Sequence, residues 1–381
     1  MKPIYLDYAA ATPVRREVFQ EMRKVEEVFA NPSSVHGAGV YAREVLEDAR
    51  GRMRKILGAG SSDKIIFTSG GTESINLALL GVARANKKRG KHIITSVVEH
   101  KAVLETCRQL EREGFEVDYV GVDEWGLVSV EEIIRRIRKD TILVSIQYVN
   151  NEVGVVQEVS MISRLIKKKQ KTILIHTDAC QAGLLDLNVN SLGVDLLTLN
   201  SLKVYGPHGV GLLYVREGVE ILPLMFGGGQ EYGLRSGTEN VAGIVGFVCA
   251  VELLQKERMK ESLRLNSLRR NFILLLKKQI KDVVVISDLK QSVPTILSVG
   301  FCGVEAETLV KALSALGVYI SAGSACTAQQ IEVSHVLNAM RVDDDVARGV
   351  VRFSFGKETR ARDLQRVVRI VARVVESLRK I

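Results

Sequence analysis

The middle of this 381-residue chain alternates between two kinds of segment, and this alternation limits the possible folds more than any other feature. Short β-branched apolar runs are separated by segments whose apolar residues recur every three or four positions. The predicted strands are 64–68, 92–95, 115–120, 141–147, 172–177, 194–199 and 210–215. The predicted helices between most of them are 74–86, 102–113, 130–139 and 159–169. This order predicts βαβ units, and therefore an α/β fold whose mostly parallel seven-stranded sheet is covered on both faces.

The pattern changes after the three glycines at 227–229, where a long helix is followed by a mixture of strands and helices. The predicted elements are helix 241–280, strand 296–301, helix 306–316, strand 349–355 and helix 361–378. A chain of this length also exceeds what a single compact core usually supports. We therefore predict two domains: a large domain at residues 14–250, and a smaller α+β domain that combines residues 1–13 with 251–381.

Composition and charge exclude several classes of protein. Hydrophobic residues make up 46% of the chain, which is enough for a substantial core. No stretch approaches the roughly 20 uninterrupted apolar residues of a membrane span, and Asp7 precedes any apolar run that could form a signal peptide. The net charge of +9 is clustered at helix ends without interleaved aromatic residues, which favours a solvated surface or acidic partners over nucleic acid. We expect a cytoplasmic protein with no membrane or nucleic-acid partner.

The five cysteines form no CxxC pair and no Cys/His spacing suited to zinc. Their odd number in a cytoplasmic protein favours free thiols. We therefore expect no metal site and consider each cysteine singly.

Two residues at the ends of predicted strands indicate chemistry on a carbonyl cofactor. Lys203 lies between the last two strands, where a lysine with a depressed pKa could form a Schiff base with an aldehyde. Asp178 ends an earlier β-rich run and could pair with a pyridinium nitrogen. A surface lysine in a turn and a helix-capping acid would explain either residue alone. Because both residues lie at strand ends, in a chain with further polar residues at such positions, the sequence suggests a binding site for pyridoxal 5′-phosphate (PLP).

Other polar residues near strand ends could complete such a site. Gly71 and Thr72 lie between a strand and a helix, where exposed N–H groups bind an anion such as phosphate, unless the loop is an ordinary capped turn. His100 could stack on a planar ring and exchange protons, although a lone histidine is more often structural. Asn151 and Gln181 could hydrogen-bond a ring hydroxyl; turn formation is the alternative for Asn151.

Cys326 and Arg352 are the remaining candidates. Cys326 lies among small residues in an accessible loop, where a thiol could reach a reactive centre and also leave it, unless it is an incidental loop cysteine. Arg352 interrupts an apolar strand, and a buried arginine needs an anion. A substrate carboxylate held by its two-pronged guanidinium fits this need, and an internal salt bridge is the competing explanation.

Together these segments resemble the cysteine desulfurases of the IscS and NifS type, in the class V aminotransferase family of PLP enzymes. The resemblance covers nearly the whole chain, and its specificity comes from the order and spacing of short motifs. These motifs are 5–13, 31–36, 68–73, 99–101, 150–154, 178–181, 203–207, 235–238 and 323–327. The spacing from Cys326 to residues 333–337 resembles the IscS-like branch, whereas the SufS-like branch has a shorter segment.

The resemblance implies the type I fold of PLP-dependent transferases and conversion of L-cysteine to L-alanine. The sulfur would pass to Cys326, in a loop of the small domain, as a persulfide, and from there to an acceptor such as an Fe–S scaffold protein, for cluster assembly or tRNA thiolation. It also implies a homodimer in which Thr238 contacts the PLP phosphate of the neighbouring subunit. Arg352 would hold the substrate carboxylate, helped by Asn31 and Asn151.

Two positions depart from the family pattern. The family commonly has Ser-x-His-Lys before and at the Schiff-base lysine, and here Leu202 replaces the histidine. This replacement removes one phosphate donor, for which Asn200 or Ser201 could substitute. His208 stands where lysine is usual. The lysine nucleophile remains, so these departures bear on cofactor affinity and rate.

Three alternatives stay open at this point. The chain could be a selenocysteine lyase, another class V aminotransferase, or a non-catalytic partner that retains the fold. A strict requirement for Cys326, and alanine production without a 2-oxo acid, would favour the desulfurase.

Overall fold

The computed structural model describes residues 3–322 and 333–380. Its strands are β1 (Ile4–Tyr5), β2 (Lys64–Thr68), β3 (His92–Ser96), β4 (Glu116–Val120), β5 (Thr141–Ser145), β6 (Leu174–Asp178), β7 (Leu196–Asn200), β8 (Gly211–Val215), β9 (Val283–Val285), β10 (Ile296–Phe301), β11 (Val318–Tyr319), β12 (Ser321–Ala322) and β13 (Val350–Ser354). Its helices are α1 (Arg16–Glu26), α2 (Gly37–Leu57), α3 (Gly71–Asn86), α4 (Lys101–Arg112), α5 (Val130–Arg136), α6 (Val159–Lys169), α7 (Val189–Leu192), α8 (Val241–Gln279), α9 (Ala306–Ala315), α10 (His335–Ala339), α11 (Asp344–Ala347) and α12 (Ala361–Leu378).

A seven-stranded sheet forms the centre of the structure, in the order β2-β8-β7-β6-β5-β3-β4. Strand β8 is antiparallel to both of its neighbours, and the other pairs are parallel. The α/β class and the mostly parallel sheet predicted from the alternation are therefore confirmed.

Both faces of this sheet are buried across its central strands, and these strands are therefore mostly apolar, whereas the edge strand β4 is partly exposed. Alternate residues of a strand point to opposite faces. In β3 and β5, Ile94 and Val144 belong to one hydrophobic cluster, while Ile93 and Leu143 belong to another on the opposite face. Helices cover both clusters, as expected for a parallel sheet.

A second, antiparallel sheet has the order β12-β13-β10-β9. Its apolar side packs with α9 and α12 in a separate cluster, to which Ile4 and Leu6 of the N-terminus also belong. The first strand, β1, pairs with β11. Residues from both chain ends therefore share one core.

Helix α8 contributes to both units. Its first part, including Phe247 and Leu254, packs in a cluster of the central sheet, and Leu265 and Phe272 pack with the second sheet. The helix passes residue 250 without a break, and the domain boundary there stays a prediction. Within the described part of the chain, no helix has the length and apolar character needed to cross a membrane.

Element existence agreed better with the sequence than element length. Helix 130–139 was predicted too long: α5 ends at Arg136, and Ile137 is extended with ψ 123°. The N–H group of Arg138 donates to Thr141 Oγ1 at 2.8 Å, so this turn is stabilised by a side chain that starts the next strand. The two- and three-residue strands β9, β11 and β12 were not predicted, because such short segments carry no periodicity.

The N-terminal segment 7–12 crosses between the two sheets. Thr12 Oγ1 donates to the carbonyl oxygen of Leu202 at 2.8 Å and accepts from the N–H of Tyr205 at 2.7 Å. Ser354 Oγ, at the end of β13, accepts from the N–H of Ala9 at 2.9 Å. This segment is therefore bound on one side to the turn that contains Lys203 and on the other to the second sheet.

His176 is enclosed within the central sheet. It is fully buried in β6, with Nδ1 2.8 Å from Ser145 Oγ and Nε2 3.0 Å from Thr198 Oγ1. Burial lowers the pKa of His176 to about 4, because a charged ring would lose its hydration.

We predict that Gly356→Ala destabilises the protein by about 1–3 kcal/mol. A Cβ atom at Gly356 would collide with the ring of Tyr8, which packs between the two sheets. Urea denaturation would measure the change. Gly51→Ala is the matched control, because Gly51 lies exposed in α2 with open space around it, and alanine there should stabilise the helix by up to about 1 kcal/mol. Equal effects of the two substitutions would contradict the role of this contact.

We predict that the His176→Gln variant loses less stability than the wild type when the pH is lowered from about 7 to about 5. The folded pKa of His176 is lower than that of an unfolded histidine, so the unfolded chain binds the proton first as the pH falls from about 6.5 to about 4. From about pH 7 to pH 5, this histidine should account for about 2 kcal/mol of lost stability in the wild type. Urea denaturation at both pH values would test this, with His208→Gln as the exposed control. An unchanged pH dependence in His176→Gln would refute it.

Candidate active site

A cleft of about 270 Å³ lies beyond the carboxyl ends of the central strands, where ligands of open parallel sheets bind. Nine of the residues predicted from the sequence line it: Gly71, Thr72, His100, Asn151, Asp178, Gln181, Asn200, Lys203 and Arg352. They come from the ends of different strands and, in the case of Arg352, from the second sheet.

Three of the predicted residues that the structure describes do not line this cleft. Asn31 and Thr238 are exposed, and Ser201 is buried behind the cleft wall. Cys326 lies outside the described residues, so its position relative to the cleft stays a prediction.

Lys203 occupies the wall between β7 and β8. Asn200 ends β7, and its Oδ1 accepts from the N–H of Leu202 at 3.2 Å, which starts a short 3₁₀ turn that ends at Lys203. The Nζ atom donates to the carbonyl oxygens of Ala9 and Ala10, each at 2.7 Å. Burial lowers the pKa of Lys203, which increases the fraction of neutral, nucleophilic amine.

His100 is the N-cap residue immediately before α4, and its ring faces the cleft. Its Nδ1 accepts from the N–H of Ala102 at 3.1 Å, so the proton of the neutral ring is on Nε2. Burial lowers the pKa of His100, and the nearby Lys203 acts in the same direction. A neutral ring can stack on a planar ligand and still exchange a proton at Nε2.

Asp178 ends β6, and its carboxylate borders the cleft. Oδ1 accepts from the N–H of Cys180 at 3.0 Å, which fixes the orientation of the carboxylate. Gln181 donates from Nε2 to the carbonyl oxygen of Ala9 at 2.9 Å. Its Oε1 is therefore the atom available to a ligand.

Hydrogen bonds to Glu73 connect the glycine-rich loop after β2 to α3 and to Arg235. The Glu73 carboxylate accepts from the N–H of Ser69 at 2.7 Å and from Arg235 Nε at 2.8 Å. A Cβ atom at Gly71 would lie 2.9 Å from Cys180 Sγ and 3.4 Å from Asn200 Nδ2, so a side chain there would occupy the cleft. The free N–H groups of the first turn of α3 and the Asn200 amide therefore form a cradle suited to an anion.

Arg352 is buried in β13, yet it borders the cleft. Its NH2 group donates to Asp7 Oδ1 at 2.9 Å, and NH1 donates to the carbonyl oxygen of Asn151 at 2.8 Å. The buried Nε atom has no hydrogen-bond partner among residues 3–322 and 333–380. The internal salt bridge considered from the sequence is thus present, and part of the guanidinium remains available.

Several groups around the cleft were not predicted from the sequence. Glu99 lies fully buried behind His100, where its carboxylate accepts from Ser96 Oγ at 2.6 Å and from the N–H of Gln147 at 3.0 Å. Burial raises the pKa of Glu99 to about 8. Gln147 and Cys180 also line the cleft. A carboxylate directly after two valines was the available signal for Glu99.

The described residues also include no group of three or more His, Cys, Asp or Glu side chains that could hold a metal ion.

The chain is similar to known proteins over nearly its whole length. The family model of class V aminotransferases matches residues 4–367. The cysteine desulfurase IscS of Dictyoglomus turgidum is 46% identical over 382 residues, which span 100% of this chain and 96% of that protein.

Two solved structures have the same fold. A NifS-like protein is 40% identical, with a TM-score of 0.93, and the match spans 98% of this chain and 100% of that one. SspA in complex with cysteine is 37% identical, with a TM-score of 0.81, and the match spans 92% of this chain and 98% of that one. The chain belongs to the class V aminotransferases and, within that family, to the PLP-dependent cysteine desulfurases.

Proposed function

We propose that this chain converts L-cysteine to L-alanine and carries the released sulfur as a persulfide on Cys326 to an acceptor protein. The observation that carries this proposal is one cleft in which Lys203, Asp178 and His100 lie together with the buried Arg352. An amine, an acid, a planar ring and a carboxylate-binding cation are the groups that this reaction requires.

The residues of the cleft fit PLP. The α3 turn at Gly71 and Thr72 would hold the phosphate, and the Gly71 position leaves room for it. Asp178 would pair with the pyridinium nitrogen, and Lys203 would attach to the aldehyde. His100 would stack on the ring, and Asn151 and Gln181 would bind the ring hydroxyl. When bound, PLP accepts the electrons left on the substrate Cα after its proton is removed.

Asn200 is the better candidate for the phosphate donor that replaces the family's histidine. It lines the cleft, and because Oδ1 accepts from Leu202, Nδ2 remains available to donate. Ser201 stays a sequence prediction: its Oγ is buried without a partner in the described part of the chain, on the side where Gly206 approaches. We therefore assign the phosphate contact to Asn200.

The residues of the chain would then act in sequence. Arg352 holds the substrate carboxylate, and Lys203 removes the Cα proton. His100 donates and accepts protons at its Nε2 atom. The Cys326 thiolate attacks the substrate sulfur, a new S–S bond forms, and the C–S bond breaks. The electron pair of the C–S bond stays with the substrate Cβ, which is protonated, and a proton returned to Cα completes alanine.

A homodimer is part of the proposal. Large apolar side chains that are mostly exposed in the single chain include Phe29 (90%), Val35 (93%) and Phe226 (84%). Exposed apolar surface of this kind is typical of subunit interfaces. Thr238 and Asn31 are exposed in the same regions of sequence and would reach the cleft of the neighbouring subunit.

The acceptor and the location of the reaction also belong to the proposal. The IscS name of the relatives supports an Fe–S scaffold protein or a tRNA-thiolation protein as acceptor, and the +9 net charge favours an acidic one. A cytoplasmic location stays a prediction from the sequence. Because the relatives are cysteine desulfurases, a selenocysteine lyase, another class V aminotransferase or a non-catalytic partner is not favoured.

The central experiment incubates the PLP-loaded protein with L-cysteine and a thiol reductant and quantifies alanine and sulfide. Both should accumulate equally. Lys203→Ala should lower the rate by at least about 10²-fold. Cys326→Ser should still bind PLP and L-cysteine but form no persulfide, whereas Cys302→Ser, at a half-buried thiol, should behave as wild type. A wild-type protein that binds PLP but forms neither product would contradict the proposal.

We predict that two inactive variants restore activity when they form a mixed dimer. Lys203→Ala removes the nucleophile, and Thr238→Glu places a negative charge where we propose the phosphate of the neighbouring subunit. If Thr238 acts across the interface, each mixed dimer has one intact cleft. Random assortment should then recover about a quarter of wild-type alanine production. No recovery after subunit exchange would show that Thr238 does not act in the neighbouring cleft.

A further inference from the structure

We propose that Asp7 is an internal occupant of the substrate-carboxylate site, and that the carboxylate of the substrate displaces it from Arg352. This inference rests on the proposed function, because it concerns how the same cleft selects its substrate. Asp7 has no role in the proposed steps of catalysis themselves.

The contacts of Arg352 support this assignment. Of its three nitrogen atoms, NH2 donates to Asp7 Oδ1 at 2.9 Å and NH1 donates to the Asn151 carbonyl oxygen at 2.8 Å. Nε is buried and has no partner in the described residues. The carboxylate of Asp7 thus makes a single hydrogen bond to a group that could bind two oxygens at once. The cation is neutralised, but its hydrogen-bonding capacity is only partly used.

Electrostatic repulsion favours the release of Asp7 when a substrate carboxylate binds. Arg352 carries one positive charge and is 4% exposed. Two carboxylates beside one buried cation would leave a net negative charge in a region of low dielectric, and the like charges would repel each other. The Asp7 side chain is about one-fifth exposed (21%), so it can return to solvent at lower cost than the fully enclosed groups. Displacement of Asp7 is therefore the favourable outcome.

The backbone connects this exchange to Lys203. The Asp7 carbonyl oxygen accepts from the N–H of Ala10 at 3.0 Å and from Tyr5 Oη at 2.9 Å, which makes Asp7 the first residue of a tight turn. The carbonyl oxygens of Ala9 and Ala10 in this turn are those that bind Lys203 Nζ. Asp7 therefore leaves Arg352 from within the turn that holds the catalytic lysine.

Asp7→Asn tests the proposal, because the amide keeps the shape of the side chain and removes its charge. Spectral titration of the PLP-loaded enzyme would measure the dissociation constants of L-alanine and of ethylamine, which lacks the carboxylate. We expect Asp7→Asn to bind L-alanine about tenfold more tightly, because the competing anion is gone, and to bind ethylamine unchanged. The KM for L-cysteine should fall in parallel.

Asp186→Asn is the matched control. It removes the same charge from an Asp–Arg pair on the surface, where Asp186 lies 3.0 Å from Arg258, and it should change neither ligand's affinity. Unchanged or weaker binding of L-alanine by Asp7→Asn would overturn the proposal, as would equal changes for L-alanine and ethylamine.

A measurement on the wild type covers the case in which the variant fails to load PLP. A crystal structure with L-alanine should show the substrate carboxylate on Arg352 and Asp7 Oδ1 beyond hydrogen-bond distance. An intact Asp7–Arg352 bond in that complex would overturn the proposal. Failure of the underlying function has a different result, since the wild type would then form neither alanine nor sulfide from L-cysteine.

Discussion

The geometry of the cleft depends on the contacts that the N-terminal segment 7–12 makes. It lies between the turn that carries Lys203 and strand β13, which carries Arg352 and Ser354. Its backbone carbonyls bind the lysine, and its first side chain binds the arginine. Lys203 lies in a turn beside the central sheet and Arg352 lies in the second sheet, and this segment contacts both. Hydrophobic clusters stabilise each sheet, and two of them include residues of both, such as Ile296 of β10 and Val350 of β13. The hydrogen bonds of the segment add to this packing.

Burial gives the cleft its chemistry. The same loss of hydration that lowers the pKa values of Lys203 and His100 raises that of Glu99, because in each case the charged form is disfavoured. Neutral forms of the amine and the ring are those that can attack and exchange protons. Burying these polar residues costs free energy of folding. Hydrogen bonds to backbone N–H groups and to neighbouring hydroxyls offset part of this cost. Function and stability therefore depend on the same enclosure.

Much of the site could be predicted because a parallel sheet brings the ends of distant strands to one edge. Asp178, His100 and Lys203 are far apart in sequence, yet each follows a strand, and the strand pattern placed them together. The contact between Asp7 and Arg352 could not be predicted in the same way. The two residues are 345 positions apart, and neither follows a predicted strand of the central sheet. The end of α5 depended on a side-chain contact from Thr141, and Glu99 depended on tertiary burial. In these cases tertiary structure overrides local pattern. The position of Cys326 lies outside the described residues, and the domain boundaries remain predictions.

The separation between Asp7 and Arg352 also has a consequence for biosynthesis. A ribosome adds roughly 5–20 residues per second, so Arg352 is made roughly 20–70 s after Asp7. During that interval the central sheet can fold, since β2 to β8 are already complete. The turn at residues 7–12 lacks two of its partners, Ser354 and Arg352, until β13 has been made. The cleft is therefore completed only after β13 has been made, and a nascent chain that stalls before β13 contains Lys203 but lacks Arg352 and Ser354.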